Sequence, residues 1–246
     1  MPRLKMINLV GLLAVLWATC AGGQTLTVVT EEYAPYNFQG SDKKISGMAT
    51  EVVAMVLKRA KINYTLAIYP WARAYQVAQD TPNVLIYSIG RNEQREALFK
   101  WVDVIAPYDV YLYRLKSRPE VTVNRMEDIK RYRIGAVRDD VRAQYLEKAN
   151  VVLDLVVGDS ANAKKLASHR IDLFPIDELA MVALYKREKL DPGSVVKVFK
   201  LEALSAGLYM AFSTQTSDEV VHKCRAALAD IKRDGSFDRI RAKYLK

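Results

Sequence analysis

The stretch Val84–Val102, VLIYSIGRNEQREALFKWV, decides how the rest of this sequence is interpreted. It opens with an apolar run after Thr81-Pro82-Asn83, a pattern that predicts a buried strand. We expect this strand to break at Ser88-Ile89-Gly90 and to lead into a polar loop that carries Arg91 and Arg95. A guanidinium holds a carboxylate through two parallel hydrogen bonds, and a nearby hydroxyl or backbone N–H completes the shell. The stretch therefore predicts a carboxylate site, although a surface turn with solvated arginines would have the same spacing.

The start of the chain differs from the rest. Two basic residues precede an apolar run from Leu9 to Ala18, and small residues follow that run. This pattern predicts a secretory signal peptide over residues 1–23, too short to cross a membrane, and therefore a mature protein in the periplasm. Cleavage there removes Cys20, for which a lipid anchor is the weaker alternative, and leaves Cys224 alone. We therefore expect neither a disulfide framework nor a cysteine-based metal site.

Composition limits the classes of partner. The chain has 246 residues and is 50% hydrophobic, enough for one large domain or two smaller ones. The formal charge is +9, but basic and acidic residues are interspersed, so we expect no nucleic-acid surface. His169 and His222 lie far apart without neighbouring ligands, so we expect no metal and no cofactor.

Predicted strands and helices alternate through the first half of the chain. Strands are predicted at residues 25–30, at 64–69 and from Val84, and helices after Ser46-Gly47 and from Pro70. Such alternation predicts an α/β fold with parallel βαβ units, whose ligands bind beyond the carboxyl ends of the strands. Tyr33, Trp71 and Ser88–Arg95 each follow such an end, so we expect a site there.

The alternation continues in the second half. Strands are predicted at 108–115, 133–137, 151–157, 171–175 and 208–212, and terminal helices at 216–233 and 235–243. Helices are predicted between these strands. We expect Asp139-Asp140, Asp159 and Asp177 each to cap the helix that follows, because an aspartate accepts hydrogen bonds from the free N–H groups at a helix start.

Five groups of short motifs then occur in a characteristic order. They are Tyr33-Ala34-Pro35-Tyr36, Ile45-Ser46-Gly47-Met48, Gly90-Arg91-Asn92-Glu93-Gln94-Arg95 with Phe99-Lys100-Trp101, Arg170-Ile171-Asp172-Leu173 with Asp177, and Asp234-Gly235-Ser236-Phe237-Asp238-Arg239-Ile240. Behind a signal peptide, this order resembles the extracytoplasmic solute-binding proteins of ABC transporters, in the amino-acid-binding branch (bacterial family 3). The resemblance covers nearly all of residues 24–246.

The resemblance implies a two-lobed periplasmic-binding-protein fold of type II. Lobe one would comprise residues 24–109 and 203–246, and lobe two residues 110–202. The chain would cross between the lobes twice, near Ala106–Val110 and near Glu202–Ala206. Ligand would bind between the lobes and favour a closed state through a hinge.

The resemblance also implies a set of ligand-binding positions, namely Tyr33, Trp71, Ser88, Gly90, Arg95 and Asp177. In the family, the arginine binds the ligand's α-carboxylate, the aspartate receives its α-amino group, and the aromatic residues stack on the ligand. Ser88 would add a hydroxyl, whereas Gly90 offers only a backbone N–H. Tyr33 and Trp71 could instead be packing residues, and Asp177 could simply cap its helix.

The second lobe departs from the family pattern. The hydroxyl expected at the start of the helix after Val137 falls near Val141, which has none. Arginines are frequent around the expected cleft, which argues against a plain neutral amino acid as ligand. The candidate additional ligand-binding residues are Arg73, Arg91, Arg138 and Arg142, for which solvation or structural pairing is the alternative.

The function implied is capture of a small carboxylate-bearing solute, such as an amino acid, by a monomer that serves an ABC transporter permease in the inner membrane. The sequence contains no catalytic motif, so we expect no enzyme. One alternative is a periplasmic enzyme on the same scaffold, similar to dehydratases that act on cyclic prephenate-like acids, with Glu31, Glu32 or Glu178 as candidates. A second alternative is ligand sensing without transport.

Overall fold

A five-stranded sheet forms one half of the protein in a computed structural model that describes residues 25–245; the predicted signal peptide lies outside those residues. In spatial order its strands are β4 (Tyr64–Ile68), β1 (Leu26–Thr30), β5 (Val84–Gly90), β12 (Leu208–Ser213) and β6 (Phe99–Ala106). β1 pairs in parallel with β4 and β5, whereas β12 is antiparallel to β5 and β6. The three parallel strands end at one edge, which therefore collects the residues that follow them.

Four helices pack on or beside this sheet: α1 (Met48–Arg59), α2 (Trp71–Asp80), α6 (Asp218–Arg233) and α7 (Ser236–Tyr244). Helix α1 forms because apolar residues at helical spacing, including Met48, Val52 and Val56, bury one face. Each such side chain contributes about 1.5–3 kcal/mol when fully buried. Gly47 caps α1 with φ of 121°, and a Cβ there would lie 2.4 Å from the Tyr36 carbonyl oxygen, so glycine is required.

The strands between residues 110 and 200 form separate sheets. β7 (Val110–Leu115) lies between β10 (Phe174–Asp177) and β11 (Val195–Lys200) and is antiparallel to both. β8 (Ile134–Val137) and β9 (Leu153–Val156) pair in parallel, next to helices α3 (Val141–Lys148) and α4 (Asp159–Ala167). Helix α5 (Glu178–Arg187) packs on β10 and α4. A short hairpin of β2 (Phe38–Gln39) and β3 (Ile45–Ser46) precedes α1.

The chain passes between these two groups of strands twice. β6 and β12 belong to the five-stranded sheet, and β7 and β11 belong to the three-stranded one. The connections are residues 107–109 and residues 201–207, the second of which contains a short 3-10 helix at Glu202–Leu204.

The strand predicted to break at Ser88 continues to Gly90 instead, with every residue of β5 buried. Ser88 has φ of 59°, and the pairing with β12 shifts register opposite it, between Tyr209 and Met210. Ser88 is thus the extra residue of a β-bulge, which bends a strand without ending it. The predicted break was wrong because the antiparallel partner that accommodates the bulge lies more than a hundred residues further along the chain.

Other predicted elements also need correction. Parallel pairing is present in β1, β4 and β5 and in β8 and β9, but β6, β7 and β10–β12 pair antiparallel. Strands β6 and β11 were not predicted. Asp159 does not cap α4: Gly158 holds the cap position and makes no side-chain bond. The Asp159 carboxylate instead binds Arg142, a contact that local sequence does not reveal.

Candidate functional site

The carboxyl edge of the parallel strands meets the sheets of residues 110–200 in a closed cleft. One side of this cleft contributes Tyr33, Trp71 and Arg95, and the other contributes Asp139, Arg142 and Asp177. Helix and strand ends supply most of these residues: Trp71 begins α2, Asp177 ends β10 and Arg142 lies in the first turn of α3. Side chains at element ends are held by rigid backbone while their polar groups face the opposite side.

Arg95 joins the two sides of the cleft. It is fully buried, at 0% exposure. Its Nη1 donates to the Gly90 carbonyl at 3.0 Å, within its own loop. Its Nη2 donates to the Asp139 carbonyl at 2.8 Å, and its Nε donates to Gln144 Oε1 at 3.0 Å. Burial lowers the pKa of the Arg95 guanidinium, which nevertheless keeps its proton, so a fixed positive charge lies at the centre of the cleft.

Trp71 reinforces the same contact. Its ring is 2% exposed, and its Nε1 donates to the Asp139 carbonyl at 2.8 Å. The Arg95 guanidinium carbon lies 5.3 Å from the Trp71 ring centroid, within cation–π range. Asp139 has φ of 60°, a left-handed conformation, and its carbonyl accepts hydrogen bonds from both Trp71 and Arg95.

Ser88 and Gly90 also lie at the cleft side of β5, and both contact other parts of the chain. The Ser88 Oγ donates to Asn37 Oδ1 at 2.5 Å. A Cβ at Gly90 would lie 2.8 Å from Cγ1 of Val141 on the opposite side. Val141, near which the resemblance predicts a hydroxyl, therefore packs directly against Gly90, and a side chain at Gly90 would push the two sides apart.

Asp177 both caps a helix and reaches the cleft. Its Oδ1 accepts hydrogen bonds from the backbone N–H groups of Leu179 and Ala180 at 3.0 Å and from the Tyr36 hydroxyl at 2.7 Å. Its Oδ2 accepts one bond, from the backbone N–H of Asp109 at 2.8 Å. Burial raises the pKa of Asp177, and these donors oppose the rise. The capping role expected for Asp177 is thus present in the structure.

Arg142 is the second buried guanidinium, at 2% exposure. It binds Asp140 through Nε at 2.7 Å and Nη2 at 3.2 Å, and Asp159 through Nη2 at 3.0 Å. Its guanidinium carbon lies 5.6 Å from the Tyr33 ring centroid on the other side of the cleft. Burial alone would raise the pKa of Asp140, but the charge and hydrogen bonds of Arg142 outweigh it, so that pKa is lowered. Asp159 has one bond from Arg142, and burial raises its pKa.

Glu31 follows β1 directly and is 9% exposed. Within residues 25–245, its carboxyl group makes no hydrogen bond or ion pair. Burial raises the pKa of Glu31 well above its ordinary value, and the charges of Asp140 and Asp159 add to that rise. Arg142 and Arg95 oppose the rise without cancelling it. Glu31 lines an open cavity, so its carboxyl group can be reached by solvent or by a ligand. A largely buried carboxyl group with a raised pKa beside a cavity is typical of a functional site.

The other candidate arginines lie outside this buried cluster. Arg73, Arg91 and Arg138 are exposed. The Arg73 guanidinium carbon lies 4.3 Å from the Tyr69 ring centroid, and Arg91 is paired with Glu96 at 2.5 Å. Of the four extra arginines, the structure therefore brings only Arg142 to the cleft.

Sequence reasoning did not identify Asp140, Asp159 and Gln144 as cleft residues, and it named Glu31 only as a candidate for an enzyme. Asp140 and Asp159 were interpreted as helix caps, and Gln144 carries no motif. The only local signal for these cleft residues was the concentration of charge around Val141. The roles of Asp140, Asp159 and Gln144 arise from contacts between elements that are far apart in the sequence.

Three further features of the described residues concern alternative functions. Cys224 is a free thiol that is fully buried in the core, and burial raises its pKa to about 12. Within residues 25–245, no three histidine, cysteine or acidic side chains are grouped as metal ligands. No helix in that part of the chain is long and apolar enough to cross a membrane.

The two groups of sheets and the buried cleft between them define a two-lobed α/β fold. Solved structures with that fold superpose on this chain. A histidine kinase sensor domain with similarity to periplasmic binding proteins gives a TM-score of 0.80 at 17% identity, over 90% of this chain and 96% of that one. An ancestral arginine-binding protein bound to arginine gives 0.79 at 20% identity, over 90% and 98% of the two chains. The two-lobed type II fold expected from the sequence is confirmed.

The chain belongs to the bacterial extracellular solute-binding proteins, family 3, because the sequence profile of that family matches residues 26–246. The L-cystine-binding protein TcyJ of Escherichia coli strain K12 is 21% identical over 227 residues, which cover 90% of this chain and 82% of that protein. The family membership inferred from the motifs is therefore confirmed.

Proposed function

We propose that this protein binds a small α-amino acid, or a related carboxylate-bearing solute, between its two lobes. The observation that carries the proposal is the meeting of buried charged groups from both sides of the cleft. Arg95, Arg142 and Asp177 are at most 2% exposed. Buried charges cost free energy unless they are paired, and such groups collect at functional sites.

Arg95 is the proposed partner of the ligand's carboxylate. A guanidinium has five N–H donors. The Nη1 and Nη2 atoms each make one hydrogen bond to a backbone carbonyl, so each has a second N–H that can donate to a carboxylate oxygen. The backbone N–H of Gly90 lies on the same strand and would complete the carboxylate's shell. The Ser88 hydroxyl donates to Asn37 in this structure, so it would have to turn its O–H towards the ligand to take part.

Asp177 is the proposed partner of the α-amino group. Its Oδ2 accepts a single hydrogen bond, so that oxygen has room for an ammonium donor. Tyr33 and Trp71 would form the aromatic walls on either side of the ligand. The two lines of support for an amino-acid ligand are this arrangement and the names of relatives that bind L-cystine and arginine.

Closure of the lobes would couple binding to transport. Lobe one would comprise residues 24–109 and 203–246, lobe two residues 110–202, and the two connections between sheets would form the hinge. Ligand contacts from both lobes favour the closed state, which a membrane partner can distinguish from the open one. We propose that this partner is the permease of an ABC transporter and that the protein acts as a periplasmic monomer.

The test begins with a thermal-shift screen of amino acids and dicarboxylates on the mature chain. A ligand at 100 times its Kd raises the free energy of unfolding by about 2.7 kcal/mol. Solution scattering with the best ligand should then show a smaller radius of gyration at unchanged helix content. Absence of any amino-acid ligand, or an unchanged radius in the bound state, would count against the proposal.

An enzyme on the same scaffold is the second candidate, and one observation favours it. Of the three acids considered from the sequence, Glu32 pairs with Arg187 and Glu178 pairs with Lys197, whereas Glu31 is buried without a bond. A carboxyl group with a raised pKa can act as a general acid near neutral pH. Product formation from a cyclic prephenate-like acid, abolished by Glu31→Gln, would favour the enzyme; saturable binding without turnover would favour the transport protein. Sensing without transport shares the binding step, and a neighbouring permease gene would distinguish it.

A further inference from the structure

A partly open cavity of about 110 Å³ lies between the loop after β1 and the helices α4 and α5. Tyr33 lines it from one side of the cleft, and Asp159, Ile176 and Leu184 line it from the other. A water molecule occupies about 30 Å³ of liquid, so the cavity can hold a group of a few heavy atoms.

A second, more open cavity of about 330 Å³ lies beside the first. Glu31 lines the second cavity, and both cavities share Glu32 and Gly158 as lining residues. Glu31 and Asp159 therefore border neighbouring spaces on opposite sides of the same gap between the lobes.

Two polar atoms at the first cavity lack a partner within residues 25–245: the Tyr33 hydroxyl and Asp159 Oδ1 are buried without a hydrogen bond. The Glu31 carboxyl group also makes no bond, but it faces the second, more open cavity. A buried polar atom without a partner costs free energy, so a bound group that pairs with these atoms would be favoured.

The carboxylates around these cavities outnumber the cations. Among the residues that line the first cavity, Arg187 pairs with Glu32 and Glu188 pairs with Lys164, so these charges cancel. Four carboxyl groups are buried at the cleft, those of Glu31, Asp140, Asp159 and Asp177, against the two guanidinium groups of Arg95 and Arg142. Asp140 shares the charge of Arg142 with Asp159, and Asp177 is stabilised by the N-terminus of α5. The excess of negative charge therefore falls on Glu31 and Asp159.

We propose that the ligand carries a cationic distal group, an ammonium or guanidinium, that binds between Glu31 and Asp159 with the Tyr33 hydroxyl beside it. This inference rests on the proposed function, which places the ligand's carboxylate at Arg95. A second carboxylate at this position would add like charge to an already acidic site, and an apolar group would leave the buried polar atoms unpaired. The ligand class is thus a basic α-amino acid.

Tyr33 connects this subsite to the amino-acid site. Its ring stacks on Tyr36 at a centroid distance of 5.5 Å, and the Tyr36 hydroxyl donates to Asp177. Its ring also contacts the guanidinium of Arg142, which binds Asp159. Tyr33 thus contacts both Tyr36, which is bonded to the proposed ammonium partner Asp177, and Arg142, which is bonded to Asp159 in the proposed distal subsite.

Calorimetry on the mature chain, unfolded and refolded to remove any retained ligand, compares L-arginine with L-citrulline. Citrulline has the same length and a neutral distal group. We expect arginine to bind at least about tenfold more tightly. Glu31→Gln and Asp159→Asn should each weaken arginine by about tenfold or more and citrulline by less than about threefold.

Glu178→Gln is the matched control, because that carboxylate pairs with Lys197 and does not line either cavity. It should change both affinities by less than about threefold. Glu31→Gln keeps the test decisive if Asp159→Asn fails to fold, because Glu31 makes no side-chain bond that the substitution could break. Equal affinity for arginine and citrulline, or tighter binding of L-glutamate, would overturn the cation subsite and leave amino-acid binding intact. A folded protein that binds no α-amino acid would overturn the proposed function itself.

Discussion

Replacing Arg95 with alanine removes the group on which the proposed carboxylate site depends. A ligand carboxylate bound to this guanidinium would form a buried, hydrogen-bonded charge pair. Truncating one partner of such a pair costs roughly 2–5 kcal/mol, or about 30-fold to several thousandfold in affinity. Arg95→Lys should recover only part of this loss, because an ammonium cannot reproduce the two parallel donors of a guanidinium.

The unliganded protein should also respond, because two of the three hydrogen bonds of Arg95 reach Asp139 and Gln144 across the cleft. Hydrogen bonds from a charged donor contribute roughly 1.5–3 kcal/mol each. Arg95→Ala should therefore lower the free energy of unfolding by at least about 2 kcal/mol and shift the unliganded protein towards the open form.

Isothermal titration calorimetry with the best amino-acid ligand measures the first effect, and urea unfolding without ligand measures the second. The matched control is Arg59→Ala, which removes a guanidinium that pairs with Asp234 at 2.7 Å between the C-terminal ends of α1 and α6. That variant should bind ligand within about threefold of wild type. An Arg95→Ala protein that is folded and binds equally well would refute the carboxylate assignment.

Three further predictions follow from single side chains. Asp177→Asn should weaken an α-amino acid by roughly 30-fold or more in calorimetry but a dicarboxylate little, because only the ammonium needs the negative charge; equal losses would contradict this. Trp71→Phe should remove most of the ligand-induced change in tryptophan fluorescence, since the indole lies 5.3 Å from the Arg95 guanidinium carbon, and an unchanged signal would place the ligand elsewhere. Hydrogen bonds from Arg133 hold the pKa of Asp172 far below its usual range, because they outweigh the effect of partial burial. The Asp172–Arg133 pair therefore stabilises the fold above about pH 4, and this stabilisation is lost as the pH falls. Asp172→Asn should cost roughly 1–3 kcal/mol in urea unfolding at pH 7 and progressively less below pH 4; a difference independent of pH would contradict it.

Local sequence was sufficient for the elements that position the site. The apolar run at Val84 formed the central strand, and the glycine at position 47 started α1. Asp177 caps α5 through two backbone N–H groups, as its place after a predicted strand indicated. Hydrophobic periodicity and capping chemistry act over a few residues, so they can be read without knowledge of the fold. The motifs were also sufficient for the family.

The tertiary structure decided how the charges of the cleft are used. Arg95 bonds to Asp139 and Gln144, 44 and 49 residues away, and Arg142 bonds to Asp159, 17 residues away. An aspartate at the start of a helix can cap that helix or pair with a distant arginine, and the sequence around it looks the same in both cases. Glu31 is distinctive only because the folded chain largely buries it beside a cavity without giving its carboxyl group a partner. Burial and pairing depend on which distant segments meet, and that is a property of the folded chain alone.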